Sequence, residues 1–324
     1  MFRRLALVPL ALVFASLAFA KGDAVSLIPN DAVTVGVIHL ADLRNSPLSL
    51  TLFQQTDTVS VDGDAGKFLS EAGLQPTKDV DVLVISASPR QNLGNEGEIL
   101  VAAEGRFNVD RLTKALVSRG AVKKNGYLIL PNSKNGSNDQ AGAVAFPDSH
   151  LALIGSESAV IEALDSRAHG GTTFLSSSGL GRDIARIDPH ASAFAVFDVA
   201  RAARLSHAPH VPASSSNDHA SQLASALKSM STVAIWATDT GDSLKLGGFG
   251  IAHDAETLQL VEDTLRGALA AMRLAVQDKN PDLVGLLRKF DVSRTNDTVT
   301  ISGTLPAQTV KDLIAKQRHH EESR

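Results

Sequence analysis

Asp31-Ala-Val-Thr-Val-Gly-Val-Ile-His-Leu-Ala-Asp-Leu43 is answered later in the chain by His190-Ala-Ser-Ala-Phe-Ala-Val-Phe-Asp-Val-Ala-Arg-Ala202, with His190 standing 159 residues after Asp31. In the first copy Val33, Val35, Val37 and His39 share one face of an alternating strand, and Thr34, Gly36, Ile38 and Leu40 share the other. Both faces are largely apolar, which predicts a strand in the interior of its sheet. In the second copy Phe194, Val196 and Asp198 take the places of Val35, Val37 and His39. The segments downstream of the two copies are also similar, so the mature chain is expected to be two related halves.

Beyond the two copies, the spacing predicts strands over 80–87 and 98–105, a helix opened by Asn108, short strands over 127–130, 143–146 and 151–154, and a helix over 157–165. The second half reads similarly. Strands over 232–238 and 244–251 flank Asp239-Thr-Gly-Asp242. Asp254 opens a long helix with the stripe Leu258, Val261, Leu265, Leu269, Met272 and Val276, a shorter helix runs over 282–290, and a strand covers 298–303. Hairpins imply antiparallel pairing. The expectation is an α+β fold of two pseudo-repeated halves, with mainly antiparallel sheets and helices packed on one face. The boundaries are a signal peptide over 1–20, a first half over 21–169, a connection over 170–187, a second half over 188–318 and a charged tail over 319–324.

The N-terminus has the pattern of an export signal. Arg3 and Arg4 precede an apolar run from Leu5 to Phe14, and Ala18-Phe19-Ala20 is a small-x-small cleavage site. The run is short of the roughly 20 residues that a spanning helix needs. Cleavage near Ala20 would leave a periplasmic or secreted protein without a transmembrane segment. Removing Arg3 and Arg4 from the 31 basic residues leaves 29 against 35 acidic ones, a net charge of −6. That charge argues against nucleic acid, which needs a basic surface. Aromatics are 4% of the chain, with one Trp and one Tyr, which speaks against a carbohydrate platform or a single-stranded nucleic-acid groove, since both rely on exposed aromatic stacking. With no Cys there are no disulfides.

Candidate site residues are few. His39 and Asp198 hold equivalent places at the ends of the two copies; if the halves met about a twofold axis, the pair could approach. The plainer reading is that both end strands. His207, His210 and His219 lie in a Ser-rich stretch; imidazoles can hold Zn²⁺, yet no Cys or carboxylate stands at ligand spacing, so a solvated loop is the competing account. Asp62-x-Asp64 begins like a calcium loop, but its twelfth position is Gly73. Gly155-Ser-Glu-Ser-Ala159 lacks the second glycine of a nucleophile elbow, and Gly247-Gly-Phe-Gly250 is not a dinucleotide fingerprint. Glu71, Glu98 and Glu104 would make a carboxylate pair only if folding joined them. No cofactor is expected.

Leu27-Ile-Pro29-x-Asp31 before a Val-rich strand, Glu104-Gly-Arg-Phe107 before a helix, and Leu153-Ile-Gly-Ser156-Glu before a helix resemble a family of secreted bacterial proteins. These carry duplicated α+β domains of unknown function. The resemblance implies fold and location and brings no catalytic residues. The expected function is non-enzymatic: an envelope protein that binds a partner protein or assembles with itself. The alternatives are a periplasmic carrier for an apolar ligand such as a lipid, and a hydrolase without a recognisable motif.

Overall fold

Thr34–His39 forms strand β1, and it lies in the middle of a sheet, as its two apolar faces require. In this computed structural model the described residues are 23–49, 64–89, 97–131, 141–170, 174–177, 179–205, 227–277 and 281–312. The signal segment, the 206–226 stretch and the charged tail lie outside them.

Around β1 the chain runs through α1 (Asp23–Ser26), α2 (Leu40–Leu43), α3 (Asp64–Ala72), α4 (Pro76–Asp79), β2 (Val80–Pro89), β3 (Gly97–Gly105), α5 (Val109–Ser118), β4 (Val122–Lys123), β5 (Leu128–Ile129), β6 (Gly142–Asp148), β7 (Leu151–Ser156) and α6 (Glu157–His169). It continues through α7 (Phe174–Ser177), α8 (Gly179–Ile184), β8 (Ala193–Asp198), α9 (Val199–Leu205), β9 (Thr232–Asp239), β10 (Ser243–Ile251), α10 (Ala255–Gln277), α11 (Pro281–Leu287), β11 (Phe290–Arg294) and β12 (Thr298–Pro306). Among the described residues twelve strands form one sheet, ordered β11-β12-β10-β9-β8-β1-β2-β3-β7-β6-β5-β4, and every pairing is antiparallel. The fold is therefore α+β. The expected separate sheets are one continuous sheet, because β1 and β8 pair directly, with Gly36 opposite Ala195 and Thr34 opposite Phe197.

The helices do not gather on one face, which corrects that expectation. The first face carries Val35, Val37, Val84, Leu100, Leu153, Val196 and Ala234 into the main core beneath α1, α6, α7 and α8. The second face carries two smaller cores. One packs Ala103 and Ala152 under Ala72 of α3 and Leu112 and Ala115 of α5. The other packs Val292 and Val299 under Leu258, Val261 and Leu269 of α10. The physical reason is the one already visible in β1: residues of both parities are apolar, so each face can carry a core.

Local chemistry sets the helix ends. Asn108 Oδ1 accepts from the Arg111 amide at 3.0 Å and opens α5; Asp254 Oδ1 accepts from the Thr257 amide at 2.7 Å and opens α10. Gly170 closes α6 at φ 63°, a left-handed position that suits glycine. Two expectations shift here. The helix expected over 282–290 stops at Leu287, and Phe290–Arg294 is an edge strand with Val292 inward and its neighbours Asp291 and Ser293 exposed. The stripe of α10 is buried only as far as Leu269; Met272 is 45% exposed.

Candidate functional site

The antiparallel β1–β8 pair decides the fate of His39 and Asp198. The His39 amide donates to Ser192 O and the Asp198 amide donates to Val33 O, so the two residues end opposite ends of the pair. Six strand positions from 192 to 198 separate them by about 20 Å. The pair cannot act together, which corrects that possibility. Asp198 Oδ1 accepts from the Arg201 amide at 2.8 Å and opens α9. His39 precedes α2 without a side-chain cap bond and borders a small apolar pocket with Val25, Ile184 and Phe194. His207, His210 and His219, and Asp62 of the calcium-like stretch, lie outside the described residues.

The three glutamates go separate ways. Glu71 meets Arg119 at 2.9 Å, Glu98 is buried and accepts from Ser158 Oγ at 2.5 Å, and Glu104 Oε1 accepts from the Ala24 amide at 2.6 Å. Among the described residues no group of three His, Asp or Glu side chains could hold a metal ion. The shifted titrations belong to ion pairs and caps. The Tyr127 hydroxyl and the Lys124 ammonium hold the Glu157 carboxyl below its usual value, and Arg167 does the same for Asp148. Asp297 is lowered by Arg186 and by the Thr298 hydroxyl.

What the register assembles instead is an apolar surface. On the second face the pairings align Ile301, Gly248, Ile235, Ala195, Gly36, Ile85, Val101 and Ile154 across eight strands. Two helical pads cover opposite corners of this face: α3 and α5 beside Leu83, Ala103 and Ala152, and α10 beside Val233 and Val299. Between them the floor is open. Ile235 is 55% exposed, Ile99 52%, Ile154 44% and Ile85 43%. At its centre Gly36 and Ala195 carry almost no side chain, so the floor dips between Ile235 and Ile85. No polar side chain interrupts the row, and the strands' own ladders use the backbone groups beneath it. Contiguous exposed apolar surface of this kind marks interaction sites. No helix among the described residues is long and apolar enough to cross a membrane.

The first face holds a different feature. At its β10–β12 end an open cleft of about 910 Å³ is lined by Trp236, Arg186, Lys245, Asp291, Ser302 and Thr304, among others.

No protein-family model matches the chain, and no curated protein does. Among solved structures it is similar to the protein TP0453 in crystal form I, with a TM-score of 0.45 and 8% identity over 92% of this chain and 98% of that one. Crystal form IV of TP0453 gives a TM-score of 0.43 and 10% identity over 91% of this chain and 97% of that one.

Proposed function

We propose that this chain is an exported, non-enzymatic binding protein, built by duplication of one α+β unit, whose open apolar diagonal docks an amphipathic helix of a partner protein. The exposed, registered isoleucine row carries this reading. A second sheet would strike the flanking helices before reaching the floor, since each helix stands about 10–12 Å thick. An extended strand gains nothing there, because the backbone groups of the floor are already paired. A single helix matches that depth and needs only apolar contact.

Duplication is supported by the order of strands. Outward from β1 come β2, β3, β7 and β6; outward from β8 come β9, β10, β12 and β11. The offset between the centre pair, Gly36 and Ala195, is the same 159 residues that separates the two sequence copies. Export is supported by Arg3, Arg4, the apolar run and Ala18-Phe19-Ala20.

A second reading has its own support: a floor whose central row carries no polar side chain would take a hydrocarbon chain as readily, which makes the protein a lipid carrier. One experiment separates them. A photo-crosslinking residue is placed at Ile235 and at Ile154, with the exposed Asp165 of α6 over the other face as control, and the protein is irradiated in its native envelope. Adducts that map to one helical segment of another protein support the proposal. Lipid adducts alone replace it with the carrier reading. Labelling no greater than at Asp165 overturns both.

A further inference from the structure

We propose that the cleft on the first face, floored by Trp236, is a binding site for a short neutral saccharide. It lies on the opposite side of the sheet from the apolar diagonal and does not depend on that reading. Gly247 sets the geometry. Trp236 stands directly opposite it in the ladder. A Cβ on Gly247 would lie 2.2 Å from Cζ2 and 2.3 Å from Cε2 of the indole, so the ring occupies the space that any other residue would fill. The glycine lets the half-buried indole lie against β10, packed on the main core on one side and lining the cleft on the other. Phe249, with its centroid 5.9 Å away, braces the ring from the core side. The same row continues through Ser302 on β12 to Asp291 on β11, and the adjacent row places Lys245 opposite Thr304. All four of these polar side chains are exposed.

The far wall is fixed in place. Arg186 donates to Thr298 Oγ1 at 2.9 Å and to Asp297 at 2.8 Å, and Asp188 accepts from the His190 amide at 2.9 Å. The lining as a whole holds three cations and three carboxylates, so it selects no net charge. Its volume of about 910 Å³ falls within the range of small-molecule sites. The chemistry then narrows the ligand. A hydrocarbon would leave hydroxyls, ammonium and carboxylate without partners, at a desolvation cost. A planar aromatic would need a second apolar wall, and the opposite wall is charged. A sugar ring has an apolar C–H face for the indole and a rim of hydroxyls, each of which donates and accepts. That pattern fits an indole bordered by Ser302, Thr304, Asp291 and Lys245. The low aromatic content of the sequence weighs against such platforms in number; the single Trp stands where one platform is enough.

Because Trp236 is the sole tryptophan, its emission reports on this cleft alone. The full mature chain is titrated with chitotetraose and, separately, maltotetraose. The expected result is a saturable change in emission with one of them, at a dissociation constant of about 10 mM or tighter. Asp291→Ala and Lys245→Ala, both exposed and outside the core, should leave the melting curve unchanged and weaken binding at least about fivefold. Trp236→Phe, followed by calorimetry, should weaken it at least about tenfold. Silence toward both sugars in fluorescence and calorimetry overturns the proposal. So does binding that all three substitutions leave unchanged.

Discussion

The two wings of the sheet differ most on the same face. In the β3–β7–β6 wing the first face is mostly apolar, with Leu100, Ala102, Leu153, Leu151, Ala143 and Ala145 beside Glu98 and Glu104, and α6 lies across it with Ala159, Val160 and Ala163 buried. In the β10–β12–β11 wing the corresponding surface carries Lys245, Ser302, Thr304 and Asp291 and opens into a cleft. Backbone pairing is alike in both. Side chains on alternate positions, and not the ladder, therefore decide whether a sheet face becomes core or site.

Four measurements put that contrast to the test. The largest effect belongs to the covered wing: Leu153→Ala, at a fully buried position under α6, should cost about 2–5 kcal/mol by urea unfolding. Ser302→Ala in the open wing should stay within about 0.5 kcal/mol. Equal costs would dissolve the contrast. Next come two glycines. A Cβ on Gly155 would lie 2.2 Å from the Ile99 carbonyl oxygen, a backbone atom, whereas one on Gly247 meets only the indole. Both Ala variants should lose about 1–3 kcal/mol, with Gly155→Ala the worse. Gly247→Ala alone should shift the tryptophan emission to the red, as the displaced ring meets water.

Asp198→Ala removes the N-cap of α9 and should cost about 1 kcal/mol in a thermal or urea melt. His39→Ala, which removes no cap bond, should cost less. The smallest effect is acid sensitivity shared by the wings. Arg167 depresses Asp148 in one wing and Arg186 depresses Asp297 in the other. A depressed carboxylate contributes stability above its unfolded value, and that contribution fades as pH falls through the folded value. The melting temperature should therefore be flat above about pH 5 and decline as pH drops through and below about 4. Asp148→Asn should flatten part of that decline; an unchanged profile would show that the pair contributes nothing.

Much of this architecture is legible in single residues. The two-sided apolar pattern of Val33 to Leu40 marks the central strand, and Asn108 and Asp254 mark helix starts through backbone chemistry that acts within four residues. Longer-range features are not. The Gly36–Ala195 pairing joins residues whose contact no local pattern specifies, and it turns the expected separate sheets into one. The same pairing sends His39 and Asp198 to opposite ends, where each simply ends its strand, the plainer of the two readings that their equivalent places in the copies allow. Helices on both faces are implicit in the alternation of β1, but the helices themselves carry no signal of which face they will choose. The edge strand Phe290–Arg294 merges into the preceding helix in the sequence, because a five-residue alternation is weak beside a helical run. The isoleucine row is hidden for a simpler reason. Ile85, Ile154 and Ile235 look like ordinary core residues until the register lines them up and the helices leave them bare.

The seam between β1 and β8 also has a consequence for how the protein is made. Residues 34–39 leave the ribosome long before residues 193–198. Until the later strand arrives, one edge of β1 offers unpaired amide and carbonyl groups, Val33 O and the His39 amide among them. The first wing is thus born with a sticky, apolar border that only its own downstream half can close. Interrupting synthesis between residues 170 and 190 would release a chain prone to pair with its neighbours, and completing the second wing is what makes the first one safe.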